Sequence, residues 1–180
     1  MPELIQGKDL IAFFRRVKDQ QTQDAGKIRF QTEHSVKMEK ENESTNTKDG
    51  NVNTITDGEN SADFTSLAYR EDGETINMYK ELKKWFKAGE KVEFWQVDVA
   101  SGRMDTQTSK MIYDVEYFQG YFKSFEISAP SDDKVELSYE YVIDGNGIGH
   151  TDSLTESQQQ AVDALQYTYH TLAKETTPAG

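Results

Sequence analysis

Apolar and polar residues alternate along most of this chain, which is the pattern of β-strands that are buried on one face. The first apolar run, over residues 9–17, differs because both of its faces are apolar. One face carries Leu10, Ala12 and Phe14, and the other carries Ile11, Phe13 and Val17. A strand of this kind predicts burial on both sides of the sheet, or a partner chain that covers one side.

A long strand is predicted over residues 27–43, and one of its faces is wholly polar. Three acidic residues at alternate positions, Glu39, Glu41 and Glu43, end that face. The opposite face mixes polar residues with apolar ones such as Val36. This pattern favours a sheet with one solvated side. It suggests an acidic surface that forms a lining rather than a pocket that holds a ligand.

The next segment is rich in Asn, Thr, Asp and Gly and contains two hairpin-type dipeptides, Asp49-Gly50 and Asp57-Gly58. It predicts a long hairpin loop over about residues 44–61. The tip of this loop is Thr47, Lys48, Asp49 and Gly50. Long loops in compact domains are usually functional, which makes this tip a candidate contact site.

One amphipathic helix is predicted over about residues 75–88, with a single apolar face and Gly89 suited to end it. That face carries Met78, Tyr79, Leu82, Trp85 and Phe86. Strands are predicted at residues 92–99, 111–128 and 135–143. Within the second of these, Gly120 marks a bulge or a close backbone approach. Residues 144–149 are rich in glycine and predict a flexible turn.

The last segment, residues 151–180, is predicted to be an extension of a β domain that spans residues 1–150. Thr155 and Gln158 fit a capping box, so a short helix can begin here. Residues 167–172 fit a strand as well, which leaves an extended arm as the alternative. The end of the chain is expected to fray.

The composition supports a folded domain and excludes some classes of protein. Hydrophobic content is 35%, and aromatic residues make up 11%. The net charge of −12 disfavours non-specific binding to DNA. The chain contains no cysteine, so disulfides and thiolate chemistry are excluded. No apolar run has the length of a signal peptide or a membrane span, which predicts a protein made in the cytoplasm without a membrane partner.

No motif in the sequence predicts a catalytic, metal or cofactor site. His34, His150 and His170 are far apart in sequence and have no cysteine to complete a zinc site. Residues 144–149 resemble the start of a calcium loop, but the later ligand positions hold Ile148 and Thr155. We therefore expect no enzymatic activity, no metal and no cofactor.

Four motifs, in their order and spacing, resemble the major tail protein, or tail tube protein, of long non-contractile-tailed phages of Gram-positive bacteria. They are Leu4-Ile5-Gln6-Gly7-Lys8-Asp9-Leu10, Phe30-Gln31-Thr32-Glu33-His34-Ser35, Ser44-Thr45-Asn46-Thr47-Lys48-Asp49-Gly50 and Tyr117-Phe118-Gln119-Gly120-Tyr121. The resemblance extends over roughly residues 3 to 145. It implies a mainly β fold, a β-sandwich or split-barrel core with one flanking helix.

The resemblance also implies a structural role in the virion tail, assembled in the cytoplasm of the bacterial host. Subunits would form hexameric rings that stack into a tube, and the genome would pass through the lumen without specific binding. Other tail proteins, such as the tape measure and the tail terminator, would be further partners. In this interpretation Glu39, Glu41 and Glu43 are candidate lumen-lining residues, and the tip residues 47–50 are a candidate contact between rings.

Two other interpretations stay open from the sequence. A β-sandwich carbohydrate-binding module could use Trp85, Trp95 and the tyrosines to stack on sugars, although both tryptophans fit core positions better. A tube protein of a contractile injection system would share the same fold.

Overall fold

The computed structural model describes residues 2–69, 78–163 and 172–173. These residues form nine strands, two helices and two short 3-10 turns. The strands are β1 (Leu10–Arg16), β2 (Gly26–Lys27), β3 (Gln31–Lys37), β4 (Lys40–Thr47), β5 (Gly50–Asp57), β6 (Asn60–Leu67), β7 (Val92–Met104), β8 (Met111–Ser128) and β9 (Glu136–Asp152). The helices are α1 (Met78–Ala88) and α2 (Glu156–Asp163). The 3-10 turns are Gly7–Asp9 and Val17–Asp19.

Seven strands form one antiparallel sheet in the order β2-β1-β7-β8-β9-β6-β3, and β4 pairs with β5 in a separate two-stranded hairpin. The sheet is curled, so its two ends approach each other. At this approach the side-chain amide of Gln31 lies against the backbone of Ala12. This architecture confirms the predicted mainly β fold with one principal helix.

The main core lies on the sheet face that α1 covers. Leu82 and Trp85 of α1 are buried there, and aromatic rings from five strands pack beneath them. Those rings are Phe14, Phe64, Phe94, Phe118, Phe122, Tyr139 and Tyr141. Because their centroids are mostly 5 to 6 Å apart in edge and stacked contacts, as for Phe64 and Phe94 at 4.9 Å, the rings also interact directly.

A second, smaller core lies on the opposite face of the sheet. Phe13, Val97, Tyr113 and Val115 are buried in it, and Val162 of α2 packs against them. Since Phe13 and Phe14 are consecutive in β1, they point to opposite faces and belong to different cores. The prediction that β1 is buried on both sides is therefore confirmed.

The end of α1 and the start of α2 are as the sequence predicts. Gly89 has a φ of +65° after α1, and the amide of Glu90 donates to Trp85 O at 3.0 Å, which is the pattern of a Schellman cap. At α2, the Thr155 amide donates to the Gln158 side chain and the Gln158 amide donates to Thr155 Oγ1. The predicted capping box is therefore formed.

The predicted strand over residues 27–43 is wrong in its length. β3 ends at Lys37, and after a two-residue connector β4 begins a different sheet at Lys40. The pairing changes from Lys37 opposite Ser61 to Lys40 opposite Asp57, so the returning chain holds one extra residue. The extra residue is on the returning side, between Asp57 and Ser61, so the alternation of residues 27–43 gives no sign of it.

The predicted loop over about residues 44–61 is also more regular than expected. β4 and β5 are eight residues each and pair over their full length around Lys48 and Asp49. The turn predicted at Asp57-Gly58 is instead the junction with β6, where the Gly58 amide donates to Glu39 O at 3.1 Å.

The flexible turn predicted at residues 144–149 is wrong. β9 continues through this segment to Asp152, with a bulge between Asp144 and Ile148. Gly145 and Gly147 have φ values of +71° and +73°, a backbone conformation that glycine allows without steric cost. The glycines therefore permit a bulge inside a strand rather than ending the strand.

Parts of two predictions lie outside the described residues. They are the start of the first helix before residue 78, and most of the C-terminal extension after residue 163. The domain boundary at residue 150 stays a prediction. Neither of the two described helices has the length and hydrophobicity of a membrane span.

Candidate assembly surfaces

The hairpin formed by β4 and β5, which we call the arm, projects from the body of the protein. Every residue of both strands is exposed. At the tip, Thr47 Oγ1 donates to Gly50 O at 2.7 Å and accepts from the Asp49 amide. A two-stranded hairpin without a packed face is at best marginally stable in water, so the arm is suited to contact another chain.

The two faces of the arm differ in charge. On the first face Glu41 and Glu43 lie opposite Thr56 and Thr54, with Val52 nearer the tip. We call this the acidic face. The second face, the neutral face, is mainly amides and hydroxyls, with the Lys40–Asp57 ion pair at its base and Ile55 near its middle. Its other residues are Asn42, Ser44, Asn46, Asn51 and Asn53.

The predicted lumen-lining residues lie close together but in two different elements. Glu39 is in the connector between β3 and β4, while Glu41 and Glu43 are on the arm. Lys37 Nζ lies 2.7 Å from the Glu39 carboxylate, which raises the pKa of Lys37 by hydrogen bonding and charge attraction. One of the three candidate carboxylates, that of Glu39, is therefore paired with a lysine.

A second polar surface, the polar wall, is the solvent-facing side of β3, β6, β9 and the last part of β8. The strand register places Ser35, Asp63, Glu140 and Ser124 in one row across these strands. Neighbouring rows add Glu33, Lys37, Ser61, Thr65, Ser138, Val142, Tyr121 and Glu126. Acidic residues outnumber lysines on this wall, and its β3 part leads into the arm.

Sequence reasoning missed Asp63 and Glu140 as members of this acidic surface. Both alternate with buried residues in their strands, so the alternation of residues 60–67 and 136–143 carried the signal. What the sequence does not show is that β6 and β9 are neighbours, which places the two carboxylates directly opposite each other. Like charges directly opposite each other destabilise a sheet, so this pair adds negative charge to the surface at a cost in stability.

Within the described residues, the polar wall has a free strand edge on each side. β3 is the last strand of the sheet, and β8 pairs with β7 only up to Gly120. Residues 121–128 of β8 therefore have no neighbouring strand on that side in the described part of the chain. Free edges of this kind can pair with another chain.

The most deeply buried carboxylate among the described residues, that of Glu93, is held by two side-chain hydrogen bonds. Glu93 is 3% exposed, and its two oxygens accept from Arg15 Nε at 2.8 Å and from the Tyr117 hydroxyl at 2.6 Å. Burial and this hydrogen bond raise the pKa of Tyr117 to about 12. Glu93 is thus paired with a charge and fully hydrogen-bonded, as a buried carboxylate must be.

The environments of the tryptophans do not suit stacking on a sugar. Trp85 is 4% exposed, and the Arg16 guanidinium lies 5.7 Å from the centre of its ring. Trp95 is half-buried, with Arg15 at 5.0 Å from its ring and Tyr117 beside it. These cation–π contacts occupy the ring faces that a carbohydrate would need.

A sequence model of phage tail tube proteins matches residues 4–147. The chain belongs to the phage tail tube protein family. The match covers the curled sheet, the arm and α1, and it ends within the β9 bulge.

Three individual proteins extend this similarity. A protein of Staphylococcus phage phiMR25 described as a tail protein is 25% identical over 174 residues, covering 97% of this chain and 86% of that protein. The SPP1 tail tube structure has a TM-score of 0.68 at 18% identity, covering 98% of this chain and 96% of that one. A gene transfer agent tail has a TM-score of 0.55 at 11% identity, covering 83% and 98%. Both structures share the fold of this tail tube protein.

Proposed function

We propose that copies of this tail tube protein form hexameric rings, that the rings stack into the tube of a phage tail, and that the genome is delivered through the lumen. The observation that carries the proposal is the arm, since two fully exposed eight-residue strands need a covering partner. Membership of the tail tube family supplies the partner, which is another copy of the chain. The role is structural, and we propose no enzymatic activity.

Rings can close through the free edges of the polar wall. β3 runs antiparallel to β6, β6 to β9, and β9 to β8. A β3 placed beside residues 121–128 of the next copy therefore continues the antiparallel order. Closure of the ring in this way pairs both edges and removes the risk of uncontrolled strand addition.

We propose that the lumen is lined by Glu39, Glu41 and Glu43 and by the adjoining polar wall. Contacts between lysine or arginine and phosphate drive non-specific binding of DNA, so an acidic surface lets DNA pass without being held. Asp63 and Glu140 extend this acidic surface on the wall. Their like-charge contact is consistent with a surface kept for its charge rather than for stability.

The same arm can line the lumen and join rings because its faces differ. The acidic face suits the lumen, while the neutral face offers amides, hydroxyls and Ile55 to a protein surface. The tip residues Thr47, Lys48, Asp49 and Gly50 would reach the adjacent ring. Tape measure and tail terminator proteins are proposed as further partners, and assembly is proposed to occur in the host cytoplasm before the tail joins the virion.

Negative-stain electron microscopy of the purified protein tests this proposal, and we expect rings or stacked tubes. A variant in which residues 42–55 are replaced by a two-residue Asn-Gly turn should fold but should not stack, since it keeps the arm base and lacks the contact surface. Thermal unfolding would verify its fold. Tubes of normal length from this variant would contradict the role of the arm.

A further inference from the structure

The arm joins the body at a polar cluster that we call the arm clamp. It consists of Lys40 at the start of β4, Asp57 at the end of β5, Asn60 at the start of β6 and Asn146 in the β9 bulge. These four residues lie in separate strands, and their hydrogen bonds join the two sides of the arm to β9.

Asn60 is the buried centre of this cluster, with 3% of its surface exposed. Its Oδ1 accepts from the Glu39 amide at 3.0 Å, on the entry side of the arm. Its Nδ2 donates to Gly145 O at 2.6 Å and to Asn146 Oδ1 at 3.2 Å. The Asn60 side chain therefore connects the start of β6 to the connector before the arm and to the β9 bulge.

The outer part of the clamp closes the base of the arm. Lys40 forms an ion pair with Asp57 across the two strands, and its Nζ donates to Asn146 Oδ1 at 3.5 Å. Asn146 Nδ2 in turn donates to Asp57 Oδ1 at 3.5 Å. These donors lower the pKa of the Asp57 carboxyl, first through the Lys40 hydrogen bond.

The β9 bulge is itself fixed on the core. A Cβ on Gly147 would be 2.4 Å from the Phe118 ring, so the backbone lies directly on a buried aromatic side chain. The bulge interrupts the pairing of β9 with β8 between Asp144 and Ile148. Because the backbone leaves the β8 ladder here, Gly145 O and the Asn146 side chain lie at the base of the arm, where both accept from Asn60 Nδ2.

We propose that the arm clamp fixes the direction in which the arm leaves the body before another ring is bound, and that Asn60 and Asn146 are its positioning residues. The inference rests on the proposed stacking role of the arm. Both faces of the arm are exposed along their whole length, so the body contacts the arm at its base. The angle between the arm and the body is therefore set there. An arm held in its binding direction loses less conformational freedom when rings stack, which strengthens the contact.

Distance measurements between two spin labels test the clamp directly, and the absence of natural cysteines makes the labelling specific. The labels are placed by Lys48→Cys at the arm tip and Lys87→Cys at the end of α1. Labelled protein is diluted into unlabelled protein and measured below the concentration at which tubes form, so that the distances come from single unassembled subunits. The test variant is Asn146→Ala at an exposed site, and the matched control is Asn53→Ala on the arm.

We expect one narrow distance distribution for the native chain and for Asn53→Ala, and a broad one for Asn146→Ala at an unchanged melting temperature. Asn60→Asp keeps the acceptor for Glu39 but loses the donor to Gly145 O, and it should broaden the distribution as well. If the competent arm direction falls roughly tenfold in population, the apparent affinity between rings falls by the same factor. Tube growth by Asn146→Ala should then require a correspondingly higher protein concentration than tube growth by the native chain.

Two results would contradict the proposal. The first is a broad distance distribution in the native chain, and the second is a distribution for Asn146→Ala that is as narrow as the native one. The distance readout needs no tube. If the native protein forms no tubes, the proposed function fails, while the distances still decide whether the arm is clamped.

Discussion

Gly120 lies so close to Val142 that a Cβ built on it would be 1.8 Å from the Val142 carbonyl oxygen. The contact is between β8 and β9, where the pairing shifts register on both sides of the glycine. The sequence-based expectation of a bulge or close backbone approach at Gly120 is therefore confirmed. The space for a side chain is occupied by backbone, which cannot move away as a flexible side chain could.

Gly120→Ala should strongly destabilise the fold for this reason. Overpacking of a core typically costs about 1–3 kcal/mol, and a clash with backbone should reach the upper end or exceed it. Urea unfolding measures the change in the free energy of unfolding. The matched control is Gly149→Ala in β9, where a Cβ would meet no atom within 4 Å. Equal losses of stability for the two substitutions would show that the contact of Gly120 with Val142 O is not the cause of the destabilisation.

The contact of Gln31 with Ala12 gives a second prediction. Gln31 Nε2 donates to Ala12 O at 2.9 Å and to Ile28 O at 3.1 Å, and Oε1 accepts from the Ala12 amide at 3.2 Å. Gln31→Ala removes these bonds and should cost about 1–3 kcal/mol, the penalty for leaving partly buried backbone groups without partners. The exposed Ser35→Ala on the same strand is the control in thermal unfolding. A loss no larger than that of the control would contradict this role of Gln31.

Buried tyrosines predict a loss of stability in alkaline solution. Burial raises the pKa of Tyr117 to about 12, and it also raises the pKa of Tyr139 and Tyr141. An unfolded chain releases these protons near the ordinary tyrosine pKa of about 10, whereas the folded chain retains them. The contribution is therefore fully present below about pH 10 and is lost as the pH rises toward 12.

Urea unfolding across this range, with tyrosinate absorbance as a second signal, checks the alkaline prediction. Tyr117→Phe cannot ionise, so its free energy of unfolding should fall less steeply above about pH 10 than that of the native chain. A native free energy of unfolding that is independent of pH in this range would contradict the assignment.

Ile55 and Val52 test which face of the arm contacts the next ring. They are on the same strand, are 60% and 54% exposed, and lie on opposite faces. If the neutral face is the contact, Ile55→Asp should abolish stacking because it buries a charge at the interface. Val52→Asp should leave stacking intact, since it adds a charge to the acidic face. Electron microscopy distinguishes the two, and the reverse result would exchange the roles of the faces.

The sequence predicted local features better than the way the strands are joined. Gly89 and the Thr155–Gln158 capping box act on backbone within a few residues, so their residue types reveal them. Gly120 stands out as a glycine inside a strand, but its neighbour Val142 in β9 could not be named from the sequence. The break in pairing after Lys37 and the bulge after Asp144 do not follow from alternation, because each depends on how the strand pairs with its neighbour. The clamp residue Asn60 was missed for the same reason, since its partners are distant in sequence.

The lumen proposal makes the last prediction. Glu41→Lys with Glu43→Lys on the acidic face should leave the arm folded and the tubes intact, because both side chains are exposed. Every subunit would then add two cations facing the DNA, and lysine–phosphate contacts would slow its passage. Phage carrying the double variant should therefore show a loss of infectivity with tails of normal length, and ejection should recover at higher salt. Glu41→Gln with Glu43→Gln is the control, since removal of charge creates no phosphate contact. Normal infectivity of the lysine variant would exclude these residues from the lumen wall.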